Sequence, residues 1–149
     1  MYKRGYNKVT KKKTPNRKEI EIMKDTKFYI CETCKNTVGM IHSSGVPMKC
    51  CGKNMTLLEA GTVEASHEKH IPVVTVDGDK VKVTVGSVLH PMSEEHSIEW
   101  IYLQTDKGGQ RKELSPTDAP EVTFALSDEK PVAVYAYCNL HGLWKTEIK

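Results

Sequence analysis

Residues 80–85 read Lys-Val-Lys-Val-Thr-Val, and this stretch decides the fold class. Its valines alternate with polar residues, so they line one face of a strand and leave the other face to solvent. Residues 96–103 follow a similar period, which places His96 and Trp100 on one face, and residues 121–126 form another candidate strand. We predict the last strand at residues 131–138. Several strands separated by Gly, Asp and Pro, with no long helical period, predict a mainly β protein.

The chain divides into three parts by composition. Residues 61–149 carry the alternating strands and are expected to form a β-sandwich. Residues 27–60 are rich in cysteine, with short apolar runs between Gly and Ser residues that predict small hairpins. A segment this short cannot bury enough apolar surface to fold unaided, so it needs cross-links such as disulfides or a bound metal. We therefore expect a small metal module followed by a sandwich.

Four cysteines of the module have the spacing of a metal site. Cys31 and Cys34 form a C-x-x-C turn, and Cys50 and Cys51 follow after fifteen intervening residues. Four thiolates suit tetrahedral zinc or a single iron, and the sequence alone leaves a purely structural zinc staple open. The adjacent pair departs from the repeated C-x-x-C of common zinc ribbons. A disulfide between neighbours is sterically poor and is disfavoured in a reducing compartment.

A second set of metal-binding side chains falls within the predicted sandwich. The fifth cysteine ends the last predicted strand, and five of the six histidines lie at or near strand ends. Imidazole and thiolate donors together suit iron, copper or zinc, so the residue types do not choose the metal. The side chains of this set are His67, His70, His90, His96, Cys138 and His141.

The positive charge of the chain is concentrated at its N-terminus. The formal net charge is +3, yet residues 1–30 hold ten Lys and Arg against three Asp and Glu. Residues 1–26 are expected to be a flexible basic extension, with a short helix from Thr14 to about Met23. The rest of the chain is mildly acidic, which argues against nucleic-acid binding. Neither a secretory signal nor a run of ~20 apolar residues occurs, so we expect no membrane span and a cytoplasmic location.

The ordered set of motifs resembles desulfoferrodoxin, the two-iron superoxide reductase family. The resemblance covers roughly residues 27–148 and leaves the basic extension outside. Its motifs are Cys31-x2-Cys34, Cys50-Cys51, Glu68-Lys69-His70-Ile71-Pro72, His90-Pro91-Met92, His96 and Cys138-Asn139-Leu140-His141-Gly142-x-Trp144.

The resemblance implies a desulforedoxin-like module, an immunoglobulin-like sandwich and two irons per chain. The first iron would be bound by the four thiolates of Cys31, Cys34, Cys50 and Cys51. The second would have the axial thiolate of Cys138 and the four equatorial imidazoles of His70, His90, His96 and His141. Glu68 would close on the vacant sixth position after oxidation, and Lys69 would attract the anionic substrate. His67 and His42 have no role in this comparison.

The implied activity is the one-electron reduction of superoxide to hydrogen peroxide. The implied partners are a rubredoxin-like electron donor and a second copy of the chain, with the cysteine module as an expected contact in the homodimer. A non-catalytic electron-transfer or zinc-binding protein is the alternative. The Glu68-Lys69-His70 run and the Cys138 and His141 pair argue against it, because a scaffold does not need them.

Overall fold

The computed structural model describes residues 25–149. The predicted extension at residues 1–26, except for its last two residues, and the predicted helix from Thr14 to Met23 lie outside the described residues. Within residues 25–149 no helix is long and apolar enough to cross a membrane.

The cysteine-rich part is built from five short strands, as predicted. Strand β1 pairs with β2 on one side and β5 on the other, and β3 and β4 form a separate hairpin. The strands are β1 (Lys27–Ile30), β2 (Thr37–Met40), β3 (Lys49–Cys50), β4 (Lys53–Asn54) and β5 (Thr56–Leu57).

Two antiparallel sheets follow, and they confirm the predicted sandwich. One sheet has the order β10-β7-β6, and the other has the order β12-β11-β8-β9. A single helical turn, α1 (His67–His70), precedes the first of these strands. The strands are β6 (Pro72–Asp77), β7 (Lys80–Val85), β8 (Ile98–Thr105), β9 (Gly108–Glu113), β10 (Glu121–Ala125), β11 (Pro131–Cys138) and β12 (Gly142–Glu147).

The sandwich core comes from the alternation seen in the sequence. The three valines of β7 are fully buried, and they meet the inward side chains of β8, β10 and β11. Each fully buried aliphatic side chain of this kind contributes ~1.5–3 kcal/mol. Cys138 belongs to the same core cluster, so its side chain is fully buried at the end of β11.

The cysteine module covers the outer face of the four-stranded sheet. The Phe28 ring lies 4.8 Å from the Trp100 ring and 5.6 Å from the Tyr135 ring, measured between centroids. Trp100 in turn stacks on Tyr137 at 5.4 Å with an interplanar angle of 9°. The outward side chains of β8 and β11 are therefore buried as well, which explains why these strands carry aromatic residues on their outer face.

The structure corrects two details of the strand prediction. Residues 131–138 are not the last strand, because β12 pairs with β11 across the tight turn at residues 139–141. His96 is not on the strand face of Trp100, since β8 begins at Ile98. His96 instead lies in a turn in which its backbone N–H binds the Ser93 hydroxyl at 3.1 Å and its carbonyl accepts the Ser93 N–H at 2.9 Å.

Candidate metal centres

The four module cysteines converge at two tight turns. Cys31 directly follows β1 and is itself followed by the turn that carries Cys34, whereas Cys50 ends β3. Cys51 and Gly52 join β3 to β4 with φ angles of 51° and 74°. Two positive φ angles in a two-residue hairpin define a type I′ turn. This turn allows two adjacent cysteines to face the same point, and the four sulfurs lie within 4.8 Å of one another.

The thiols of this group cannot all ionise without a cation. The backbone N–H groups of Cys34 and Thr33 donate to the Cys31 sulfur and lower its pKa to about 6. Hydrogen bonds shared with Cys34 and Cys31 raise the pKa of Cys51 to about 12. The Cys34 and Cys50 sulfurs are 3.5 Å apart. A thiophilic cation would replace the protons that crowded thiols otherwise keep, so the residues fit a four-thiolate metal site.

The second group is assembled from five separate segments. The turn α1 supplies His70, the loop after β7 supplies His90, and a turn before β8 supplies His96. The end of β11 supplies Cys138, and the turn before β12 supplies His141. One ligand atom from each of His70, His90, His96 and Cys138 lies within 4.8 Å of the other three.

His141 joins the same group through its Nδ1 atom. This atom is 3.0 Å from His70 Nε2 and 3.7 Å from the Cys138 sulfur. The His96 and His141 rings are 4.9 Å apart between centroids. All five predicted donors of the second centre are therefore brought together, although they come from positions as far apart as 70 and 141.

Backbone carbonyls set the tautomers of two imidazoles. His70 Nδ1 donates to the Ser66 carbonyl at 2.7 Å, and His90 Nδ1 donates to the Pro91 carbonyl at 2.6 Å. A carbonyl only accepts, so Nε2 of each neutral ring carries a lone pair. Burial lowers the pKa of His90 to about 4 and also lowers that of His70. Neutral imidazoles with outer Nδ1–H bonds are the form that binds a metal.

A buried imidazole nitrogen without a hydrogen-bond partner indicates the position of a cation in the second group. His96 Nε2 is buried without a hydrogen-bond partner, the only side-chain nitrogen or oxygen of this kind among residues 25–149. Leaving such an atom unpaired is costly. A cation at the centre of the group would satisfy this nitrogen together with the facing nitrogens of His70 and His90. The donor set thus fits a bound metal with four nitrogen ligands and one sulfur ligand.

The Cys138 sulfur is prepared for a charged ligand role. Burial raises its pKa, whereas the backbone N–H groups of Leu140 and His141 point at the sulfur and lower it. A buried thiolate needs such donors or a metal, because an unpaired charge in the core is expensive. The C-x-x-H turn therefore both presents His141 and cradles the sulfur.

Two further residues support the centre, and sequence reasoning had assigned them no role. Trp144 stacks on the His70 ring at 4.9 Å and donates its indole N–H to the His141 carbonyl at 3.1 Å. Asn139 accepts the Ser97 N–H and donates to the Glu95 carbonyl, both at 3.0 Å. Asn139 therefore ties the loop of Cys138 to the loop of His96. Both lie inside the quoted Cys138–Trp144 motif, which was the available signal.

The exposed Glu68 and Lys69 side chains extend from α1 at the edge of the second group. Burial lowers the pKa of His96, and the charges of His141, His70 and Lys69 lower it further. The positive charge of Lys69 also lowers the pKa of His70, so this charge acts on two of the imidazoles. Glu68 Oε1 lies 3.5 Å from the Ser66 hydroxyl. His67 packs edge-on against Trp144 outside the group, and His42 is exposed in the module.

Comparisons with known proteins agree with this architecture. A family model described as Desulfoferrodoxin matches residues 62–147. The desulfoferrodoxin of Nitratidesulfovibrio vulgaris is 48% identical over 120 residues, which cover 80% of this chain and 94% of that protein. A desulfoferrodoxin homolog of Archaeoglobus fulgidus is 44% identical over 118 residues, covering 79% and 94%. The crystal structure of the superoxide reductase from Treponema pallidum matches with a TM-score of 0.71 and 45% identity, covering 83% of this chain and 99% of that one.

A tetrathiolate module joined to a β-sandwich with an imidazole–thiolate group defines a two-centre metalloprotein. This chain belongs to the desulfoferrodoxin family.

Proposed function

We propose that this protein is a superoxide reductase. The observation that carries the proposal is the convergence of four imidazoles and the Cys138 sulfur at one point, with lone pairs facing one another. A scaffold does not need such a donor set, and its five donors exceed the four of a structural zinc site. The reaction consumes one superoxide, one electron and two protons, and it releases one hydrogen peroxide.

The proposed ligands follow the two groups in the structure. Cys31, Cys34, Cys50 and Cys51 bind the first iron. The second iron would be held by Nε2 of His70, His90 and His96, Nδ1 of His141 and the sulfur of Cys138. When bound, a ferrous ion in this set supplies the electron and a vacant coordination position for a small anion.

The residues of the chain supply attraction, charge balance and protons. The Cys138 thiolate donates electron density to the metal, and its backbone N–H donors keep that sulfur in place. Neutral imidazoles add no charge, so the centre stays positive overall and favours an anion. Lys69 focuses this attraction, and such steering raises association rates by ~10 to 10³-fold. Water ordered at the Lys69 ammonium is the proposed source of the two protons.

Glu68 is the proposed carboxylate that occupies the vacant position once the product has left. Its place beside Lys69, on the same exposed turn that ends at His70, supports this role. A carboxylate at that position would protect the oxidised centre until an electron arrives.

An external one-electron carrier of the rubredoxin type is the proposed donor. The four-thiolate centre is the proposed relay or store for its electrons. The module that holds this centre packs through Phe28 on Trp100, which stacks on Tyr137 next to Cys138. This continuity supports a relay but does not require one for turnover.

Three further features belong to the proposal. The domain boundaries are placed after residues 26 and 60, at either side of the module. A cytoplasmic location is supported by five cysteines that are all free thiols. A homodimer through the module is supported by the fully exposed Ile41 at the end of β2, and light scattering on the purified protein would measure the mass.

Metal analysis, visible spectra and a direct superoxide assay test the function together. We expect two irons per chain, thiolate-to-iron absorption that changes on oxidation, and one hydrogen peroxide per superoxide consumed. A dismutase would give one peroxide per two superoxides. A colourless zinc protein without activity would support the non-catalytic alternative and end the proposal.

A further inference from the structure

Gly86 sits where a side chain cannot be accommodated. It follows β7, is buried, and has a φ of +85°. A Cβ atom at this position would lie 2.7 Å from the Lys69 carbonyl oxygen and 2.8 Å from the Glu68 carbonyl oxygen, and it would also strike the Val88 carbonyl. These neighbours are backbone atoms, which cannot rotate away as a flexible side chain does. The close approach of residue 86 to α1 is therefore possible only for glycine.

The turn formed by residues 86–88 holds the backbone of residues 68–71 through three hydrogen bonds. The Gly86 N–H donates to the Ile71 carbonyl at 3.3 Å. The Val88 N–H and the Ser87 hydroxyl both donate to the Glu68 carbonyl, at 3.0 and 3.2 Å. The carbonyls of Glu68 and Ile71, the two ends of this short segment, are thus both engaged by a single turn.

The helical turn α1 depends on such outside support. It spans four residues, and Ser66 at its N-terminal end makes no side-chain capping bond. A single helical turn is unstable in isolation, because nucleation costs more than one hydrogen bond returns. The contact with residues 86–88 therefore decides where the exposed side chains of Glu68 and Lys69 project.

We propose that Gly86 is a positioning residue for anion capture: the turn it forms against the Glu68 and Lys69 carbonyls sets the backbone position from which the Lys69 ammonium attracts the anion, one residue before the ligand His70. This inference rests on the proposed function and adds to it the element that aims its attracting charge. The same turn leads directly to His90, whose N–H binds the Val85 carbonyl at 3.1 Å. One loop thus places a donor of the centre and the backbone that carries the steering lysine.

The physical reason is the distance dependence of electrostatic attraction. A charge acts on an incoming anion strongly only at short range, and salt screens it beyond about 8–10 Å. Because the Lys69 side chain is exposed, packing does not fix its position. The position of its ammonium therefore depends on the hydrogen bonds that hold the backbone of α1. A shift of the α1 backbone would move the ammonium, and because His70 ends the same turn, the Lys69→Ala background separates an effect on the charge from an effect on this ligand.

Gly86→Ala tests the proposal, and Gly78→Ala is its matched control. Gly78 also has a positive φ, +57°, but its added Cβ would meet nothing within 4 Å. Both variants carry the cost of alanine in a left-handed conformation, and only Gly86→Ala carries the clash with residues 68 and 69. The readouts, taken in a Glu68→Ala background so that this carboxylate does not compete for the vacant position, are the affinity of the oxidised, iron-loaded protein for azide, followed through the thiolate absorption, and its dependence on ionic strength.

Gly86→Ala is expected to weaken azide binding at low salt on the order of threefold to tenfold, because only part of the total electrostatic gain is lost. The azide affinity of this variant should also depend less on salt concentration. Gly78→Ala should match the parent protein. In a Lys69→Ala background the additional effect of Gly86→Ala should vanish. Three outcomes would each overturn the proposal. The first is an azide affinity and salt dependence in Gly86→Ala equal to those of the parent. The others are an equal loss of azide affinity in Gly78→Ala, or an effect of Gly86→Ala that persists in the Lys69→Ala background.

Ser87→Ala keeps the test decisive if Gly86→Ala does not fold. Its side chain is exposed, and its removal deletes only the hydroxyl bond to the Glu68 carbonyl. We expect faster hydrogen exchange at the Val88 amide and a smaller loss of azide affinity in the same direction. Unchanged exchange and affinity would contradict the positioning role. Azide binding and amide exchange need no turnover, so they remain informative even if the protein does not reduce superoxide.

Discussion

The Nε2 atoms of His70 and His90 lie 3.2 Å apart, and neither has a proton to offer the other. Each ring has already committed its Nδ1–H to a backbone carbonyl, Ser66 for one and Pro91 for the other. Two lone pairs at this distance repel unless a cation lies between them. The backbone carbonyls therefore orient the imidazoles for a metal ion. Without the metal, the repulsion between the two lone pairs destabilises the folded protein.

Removal of the metal is expected to lower the stability of the sandwich. A ligand that binds only the folded state stabilises it by about 4 kcal/mol at a thousand times its dissociation constant. We expect the chelated protein to melt at a lower temperature in scanning calorimetry and to recover on addition of ferrous ion under anaerobic conditions. Identical melting of the chelated and reloaded proteins would show that the imidazole group does not need a cation.

Cys138→Ser is expected to abolish both the thiolate absorption of the second centre and superoxide reduction. The reason is that serine keeps the size of the side chain but does not supply the thiolate donor. Visible spectra of the oxidised protein and a direct superoxide assay measure the two effects. Cys34→Ser, the same substitution in the other centre, is the control and should keep both. Retention of the band and the activity in Cys138→Ser would remove this sulfur from the ligand set.

Lys69→Ala is expected to slow the second-order reaction with superoxide and to flatten its dependence on ionic strength. The reason is loss of the positive charge that acts on the imidazole group. We expect a decrease within the ~10 to 10³-fold range of electrostatic steering, shrinking as salt is added. Pulse radiolysis at several salt concentrations gives both quantities. Lys80→Ala removes the same charge at the start of β7 and should change little; an unchanged rate in Lys69→Ala would dismiss the steering role.

Cys51→Ser is expected to destroy the first centre and to spare direct superoxide reduction. Serine is a poor ligand in a thiolate site, and the second centre shares no residue with the first. Iron content should fall by one per chain, and the absorption of the four-thiolate centre should disappear. If activity vanished while the second iron remained bound, the two centres would not be separable as we propose.

Asn139→Ala is expected to destabilise the protein and to loosen the loop of His96. The variant loses the bonds to the Ser97 N–H and the Glu95 carbonyl, and leaving these groups unpaired costs ~1–3 kcal/mol. Urea unfolding of the iron-loaded protein measures the free-energy change. Asn54→Ala, at an exposed position of β4, should stay within ~0.5 kcal/mol of the parent. Equal midpoints for the two variants would contradict the tie between the loops.

Local pattern accounts for the elements that could be predicted. The alternation at Val81, Val83 and Val85 reports a half-buried strand because side chains of a strand point to opposite faces. The C-x-x-C spacing predicts a metal-binding turn because it brings two sulfurs and the backbone amides between them close together. The strand β12 was missed, since residues 142–147 carry no clear alternation and gain their order by pairing with β11.

The sequence by itself determined the two sandwich faces, the cysteine turns and, through resemblance, the candidate ligands of both centres. Only the tertiary structure decided that His141 presents Nδ1 while three imidazoles present Nε2, that Ser66 and Pro91 carbonyls set two tautomers, and that Gly86 holds Glu68 and Lys69. The reason is physical. Side-chain type and spacing act along the chain, whereas ring orientation, carbonyl acceptors and the absence of a Cβ matter only where distant segments touch.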